Sequence, residues 1–298
     1  MRQTEKAMKA FHNYIDSLGD KVTEDNINDY AQEFMKQYNE NLKLKKEGKL
    51  EQSDEEKAYD LYDKAMETYS NSESRRLLKQ AIKLKPNFTD AKIELICFYE
   101  DEFKRIRELE KLEKEEKEYL ESEGYFTEEN ISCFYGILET RPYIRLLYVM
   151  ASQYQQIGSY RKAIELYEYI IYLNENDNMG ARYSLMGLYA MLEECEKMKE
   201  IIDHYPEDNI PTHLFQFVLA YKQTDYTKAR RHLRAVQMKV PDFKKFVKGQ
   251  LDEDDVETHF IEGYYRPFSL EEIIMYMNAF DTIFLNGSLA HFMQKTLK

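Results

Sequence analysis

Apolar residues recur along this chain at intervals of three and four, the spacing of one helical face, and sustained alternation of the strand type is absent. Met8, Phe11, Ile15 and Leu18 predict a first helix that Gly19 ends. Ile27, Tyr30, Phe34 and Tyr38 predict a second, with Thr23 as its N-cap, followed by the lysine-rich linker KLKKEGKLEQ. Ser53-Asp-Glu-Glu56 is a capping box: the hydroxyl satisfies an orphan amide while Glu56 reaches back to the cap. A long charged stretch from Arg105 to Leu120 carries a narrow apolar stripe of Ile106, Leu109, Leu112, Tyr119 and Leu120, so one face packs. Gly124 breaks it, and Phe126 to Leu138 reads as an inserted helix. Pro142 fits the first turn of the next helix, where no amide donor is lost. Ser269-Leu-Glu-Glu272 is a second capping box, and Asn286-Gly287 marks a turn before a last short helix.

The segment from Ile144 to Asp177 shows how these helices pair. With Ile144 as position 1, Ala151 falls at 8, Tyr154 at 11, Gly158 at 15, Tyr160 at 17, Ala163 at 20 and Tyr167 at 24. Small residues at 8 and 20 let two helices approach closely, Gly158 turns the chain between them, and the aromatics fill the space between neighbouring units. A weaker copy starts at Met179, with Leu185, Met186, Tyr189 and Met198 at positions 7, 8, 11 and 20. Another from Ile210 places Ala220, Tyr226, Ala229, Leu233, Val236 and Pro241 at 11, 17, 20, 24, 27 and 32. Earlier in the chain Leu78, Ala81, Leu84 and Pro86 hold positions 24, 27, 30 and 32 of a unit beginning near Glu55. A period of about 34 residues marks tetratricopeptide helix–turn–helix units. The expected fold is all-α, a tetratricopeptide superhelix with helical caps. Residues 1–50 form the first cap, 53–243 the repeats (55–88, 89–122, 144–177, 179–208 and 210–243, with the inserted helix at 126–138), and 244–298 a loop and capping helices, since solenoid ends expose an apolar face.

Composition narrows the function more than the fold. Ten glycines and six prolines in 298 residues suit helix almost throughout. The net charge of −13 disfavours a nucleic-acid partner, which calls for a basic face. Cys97, Cys133 and Cys195 are sparse and far apart, which argues against a disulfide framework and fits a reducing, cytoplasmic setting. The six histidines are scattered, so no metal site and no cofactor are expected. The acidic run Asp252 to Asp255 lacks EF-hand spacing and reads as a solvated loop. The longest apolar stretch, around Tyr143 to Ala151, is interrupted by Arg145 and too short for a membrane span, and the first residues lack an export signal's apolar core. None of the metalloprotease, nucleophile-elbow or phosphate-loop motifs occurs, and no residue set carries catalytic chemistry.

The phrases ETRPYIRLLYVMASQYQQIGSYRKAIELYEYIIYLNENDNMGARY, DHYPED, VPDFKKFVKG and YYRPFSLEEIIMY resemble the uncharacterised bacterial tetratricopeptide proteins of Firmicutes type, themselves distantly similar to the suppressor-of-tumorigenicity-seven family of eukaryotes. The resemblance runs from about Ser53 to the end. Glu175 stands where that family usually has proline and Met198 where it usually has alanine. It implies a helical repeat scaffold with no assigned reaction.

In such repeats, positions 2, 5, 9, 12 and 13 of each first helix face the concave groove. That register assigns a partner-binding surface of Tyr59, Arg145, Tyr148, Ser152, Gln155, Tyr183, Tyr221 and Lys222, with Met66, Gln156, Leu214 and Val218 alongside, and Arg182 joins the expected groove as a neighbouring cation. Tyrosine at position 5 in three units (Tyr59, Tyr148, Tyr183) offers a flat apolar face plus a hydroxyl, suited to peptide binding, or else packs in the core. Arg141, Arg145 and Arg182 either line one basic spot for a carboxylate or phosphate, or form internal ion pairs with Glu139 or Asp177. The expected function is a cytoplasmic scaffold or adaptor binding another protein or peptide, without nucleic acid or membrane; a homo-oligomer is compatible with it. The alternative is a peptide-sensing regulator of Gram-positive type acting through protein contacts, because residues 1–50 hold nine basic and nine acidic residues and no basic recognition helix. A third reading is an enzyme with a site in 89–143 or 244–298.

Overall fold

A computed structural model describes residues 3–23, 26–251 and 266–297. The acidic run at 252–255 and His259 lie outside the described residues. Within them the chain is all-α, sixteen helices and one short 3-10 turn, and sequence-adjacent helices pack against each other in pairs. It divides into two compact units, Met1–Asn178 and Met179–Lys298.

The first unit opens with α1 (Gln3–Leu18) and α2 (Ile27–Lys46). The turn between them differs from the expected cap: Thr23 is not the N-cap, because its amide is bonded to the Asn26 side chain at 2.7 Å and the helix starts only at Ile27. α2 also runs into the lysine-rich stretch expected as linker. Phe34 is its buried centre, with Phe11 and Tyr14 of α1 at ring distances of 5.2 and 5.5 Å.

Three helix pairs follow: α3 (Asp54–Glu67) with α4 (Asn71–Leu84), α5 (Thr89–Cys97) with α6 (Glu102–Ser122), and α7 (Arg141–Gln156) with α8 (Tyr160–Leu173). The capping box at α3 is complete, Glu56 N to Ser53 Oγ at 3.1 Å and Ser53 N to Glu56 Oε2 at 2.9 Å. Ser53→Ala is expected to cost about 1 kcal/mol in chemical unfolding of this unit. One apolar cluster joins α3, α4 and α5 through Ala58, Tyr59, Leu78, Ala81, Phe88 and Ala91. A second joins α5 to α7 through Ile93, Leu109, Leu112, Leu146 and Met150. The small residues at 151 and 163 are fully buried. On α6 the stripe is Ile106, Leu109, Leu112, Glu116 and Leu120, whereas Tyr119 is exposed. Glu116 takes the place one turn below Leu112, and its burial is tolerated because Thr89 donates a hydrogen bond at 2.7 Å.

The segment expected as an inserted helix, 126–138, is a series of turns. Ser132 has φ +79°, which stops a helical run. The backbone amides instead find partners at the end of α8: Phe134 N donates to Leu173 O and Glu175 N to Ser132 O, each at 2.9 Å. Phe134 and Leu138 plug the turn region into the core, and Thr140, fully buried, donates to the carbonyls of Phe134 and Ile137.

The second unit pairs α9 (Ala181–Leu192) with α10 (Cys195–His204) and α11 (Ile210–Lys222) with α12 (Tyr226–Lys239), then adds α13 (Phe243–Val247), α14 (Leu270–Ala279), α15 (Asp281–Phe284) and α16 (Gly287–Thr296). α9 packs on α11, α14 on α11, and α16 on α12 and α13. At the α14 cap Ser269 accepts from Glu272 N, but the Glu272 carboxylate accepts from Phe268 N instead of closing back on Ser269. Asn286 caps α16 as the Asn-Gly turn suggests.

Candidate functional site

Register positions of the first helices in the first unit come together beside α1. Tyr59 on α3 is 5 % exposed, its ring edge-on to Phe88 at 5.0 Å. Its hydroxyl accepts from Lys85 at 2.8 Å and donates to Glu55 at 3.1 Å. Burial pushes the Glu55 carboxyl up, but hydrogen bonds and charge from Lys85 and Lys9 outweigh it and hold Glu55 at about 2. Arg145 on α7 grips Asp90 on α5 with two parallel hydrogen bonds, 2.7 and 2.9 Å, and reaches Glu5 of α1 at 3.0 Å. Burial disfavours its charge, yet the two carboxylates hold the guanidinium above its ordinary range. Arg141 shares Glu5 at 3.4 Å and donates to Tyr135 O at 2.6 Å.

Tyr148 is half-buried with its ring edge-on to Tyr167 at 5.4 Å. Ser152 and Gln155 are half-buried further along α7, Gln156 is exposed, and Met66 at the end of α3 is 44 % exposed. The arginines are thus engaged in ion pairs within the chain, as one of the two expectations held. The partners are not those anticipated for Arg141 and Arg145, which take Glu5 and Asp90.

In the second unit the same register face is covered by the unit's own helices. Tyr183 donates to Glu207 at 2.7 Å, and Arg182 bonds both Glu207 and the Tyr183 hydroxyl. Tyr276 of α14 lies against the Tyr183 ring at 6.1 Å. Leu214 and Val218 are fully buried. Tyr221 meets Phe292 of α16 at 5.1 Å, and Lys222 bonds the Met191 carbonyl and pairs with Glu193 at 3.1 Å.

The two coverings differ in kind. The contacts of α1 with α3 and α7 are ionic: Lys6 with Asp63 and Asp60, Lys9 with Glu55, and Glu5 with Arg145. The lysine pairs, partly exposed, are each worth about 0–1 kcal/mol, and the buried Glu5–Arg145 pair adds little net attraction once the desolvation of both charges is counted. The buried Oε2 of Glu5 has no hydrogen-bond partner, which subtracts from that total. α14 and its successors are held by buried aromatics: Phe280 lies against Gly187, and Phe215 packs edge-on to both Tyr276 and Phe280. Each such side chain contributes about 1.5–3 kcal/mol. The tail is therefore firmly part of its unit and α1 is weakly held.

One cluster missed by the sequence reading has the appearance of acid–base chemistry. His213 lies 3.1 Å from His232 through their Nδ1 atoms and 2.6 Å from Asp208 through Nε2. The remaining nitrogen of His232 is buried without a hydrogen-bond partner. Burial, then the charges of His213, Arg231 and Lys228, lower His232 to about 4. Between pH 6.5 and 4 the unfolded imidazole takes up a proton that the folded one refuses, so folding stability rises with pH across that window. The His232 ring should titrate by NMR near pH 4; a midpoint near 6.5 would contradict its burial. Among the described residues no group of three or more His, Cys, Asp or Glu side chains is placed to hold a metal ion, and no helix is long and apolar enough to cross a membrane.

No family model matches the chain, and no curated protein matches it.

Proposed function

We propose that this chain is a tetratricopeptide-type scaffold, of the bacterial kind its phrases resemble, that works in the cytoplasm by holding another protein or peptide in the groove lined by its first helices. It binds without cofactor and without changing its partner chemically. The observation that carries this reading is α1: a helix from outside the repeat pairs rests on first helices of the first unit, and side chains that hold it stand at the groove register, Tyr59 and Asp63 on α3 and Arg145 on α7, with Asp90 on α5 bracing Arg145. A surface that recognises one helix by charge pairing is equipped to recognise another. Ser152, Gln155 and Met66 extend the same register beyond the residues that α1 engages.

Affinity capture with the full chain from its native cell tests this. Ser152→Lys with Gln155→Lys should lose a defined set of interactors while the helical melting curve stays within about 2 °C of the parent. An unchanged set of interactors would argue against the groove, and tight binding of duplex DNA by the purified chain would argue for a different class of partner.

A further inference from the structure

The way α1 is fixed resembles the way a ligand is bound. Its aromatic side, Phe11 and Tyr14, is spent on Phe34 of α2. What it offers the repeats is a short polar signature, Glu5-Lys6 followed by Lys9. Lys6 lies against Asp63 with Asp60 at 3.7 Å and stands 5.4 Å from the centre of the Tyr59 ring. Lys9 reaches Glu55 at 2.9 Å, and Glu5 reaches Arg145 and Arg141 at 3.0 and 3.4 Å. The repeats hold their own apolar clusters through α3 to α8, so their cores close around their own residues. Lys45 at the end of α2 is tied to Glu56, which keeps α1 near the surface when it lifts off.

The seat is also imperfect. One oxygen of Glu5 is buried with no hydrogen-bond partner although the side chain is only 6 % exposed. A group that reproduced the lysine contacts and satisfied the arginines without that orphaned oxygen would bind better than α1 does.

Building on the groove reading above, we propose that α1 is a tethered, displaceable occupant of the groove, and that the ligand it yields to is a helix presenting a carboxylate followed by two lysines three residues apart. Tethering gives α1 an effective concentration on the order of millimolar, so a competing helix engages appreciably only when its own contacts exceed those of α1. The groove stays closed to weak, unselective guests and opens to one of matched charge pattern.

The test uses the full chain and, as probe, a fluorescent synthetic peptide of residues 3–18. In Lys6→Glu with Lys9→Glu, α1 faces Glu55 and Asp63 with like charge. Its amides should exchange with solvent at least tenfold faster than in the parent, and the charge swap Lys6→Glu with Asp63→Lys should restore slow exchange. The peptide should bind the double glutamate variant at least tenfold tighter than it binds the parent. Equal peptide binding by parent and variant would overturn the gating role while leaving the groove as a helix site. Faster α1 exchange without peptide binding would overturn both this inference and the groove reading. Unchanged exchange in the double glutamate variant would show that the ionic contacts do not hold α1, and would overturn the inference alone.

Discussion

Arg145→Met should destabilise the first unit by about 3–5 kcal/mol, read as a lowered denaturation midpoint. The guanidinium is the shared counter-charge for two buried carboxylates, Asp90 at 6 % and Glu5 at 5 % exposure. Removing the guanidinium from a buried ion pair leaves desolvated carboxylates with less compensating charge, Glu5 keeping only Arg141 at 3.4 Å, which costs more than the pair itself contributes. Methionine keeps the volume, so the loss is electrostatic and not a cavity effect. Two relief routes distinguish this account from a packing defect. Glu5 escapes to water if α1 lifts, so faster exchange of α1 amides should accompany the loss. Asp90→Asn in the Arg145→Met background removes one of the two carboxylate charges and should recover a substantial part of the stability. A change of less than about 1 kcal/mol in Arg145→Met would place the ion pair among the weak surface class instead.

The second large effect lies in the other unit. Phe280 is 2 % exposed, packs edge-on to Phe215 at 5.0 Å, and lies so close to α9 that a Cβ built on Gly187 would be 2.1 Å from the tip of its ring. Phe280→Ala should therefore cost about 3–5 kcal/mol in unfolding of the second unit, from lost burial and the cavity left behind. Gly187→Ala should cost about 1–3 kcal/mol despite alanine's better helix propensity, because the ring has no room to withdraw. In the Phe280→Ala background the same Gly187→Ala change meets open space and should become neutral or stabilising by up to about 1 kcal/mol. That reversal of sign is the diagnostic. Gly287→Ala, where a Cβ meets nothing within 4 Å, serves as the control and should change stability little. If Gly187→Ala proves harmless in the parent chain, the close approach of the ring to α9 is wrong.

These two sites mark what a one-dimensional pattern reveals about this protein and what it hides. The helix pairs were legible because the signal is local. Side chains three and four residues apart share a face, glycine at 158 and the serine cap at 53 end and begin helices by their own backbone chemistry, and alanines at 151 and 163 identify close approach wherever the repeat lies. The turns at 126–138 were misread as helix because their stabilisation is distant: amides that a helix would satisfy internally are bonded to the end of α8, and Phe134 is drawn into a core assembled by other elements. The register picked out side chains on the first helices, but not what rests on them. Tyr59 and Arg145 stand among the contacts of α1, while Leu214, Val218 and Tyr221 are covered within their unit by residues far along the chain.

By itself the sequence determined the all-helical class, most of the helices and their pairing with chain neighbours, because those follow from the periodicity and caps carried by each segment. Only the tertiary structure decided which carboxylates Arg141 and Arg145 answer, that Gly187 makes room for Phe280, and that one covering helix is held by charge and another by aromatic packing. Those outcomes depend on residues brought together from distant parts of the chain, where burial and pairing, and not local propensity, set the free energy.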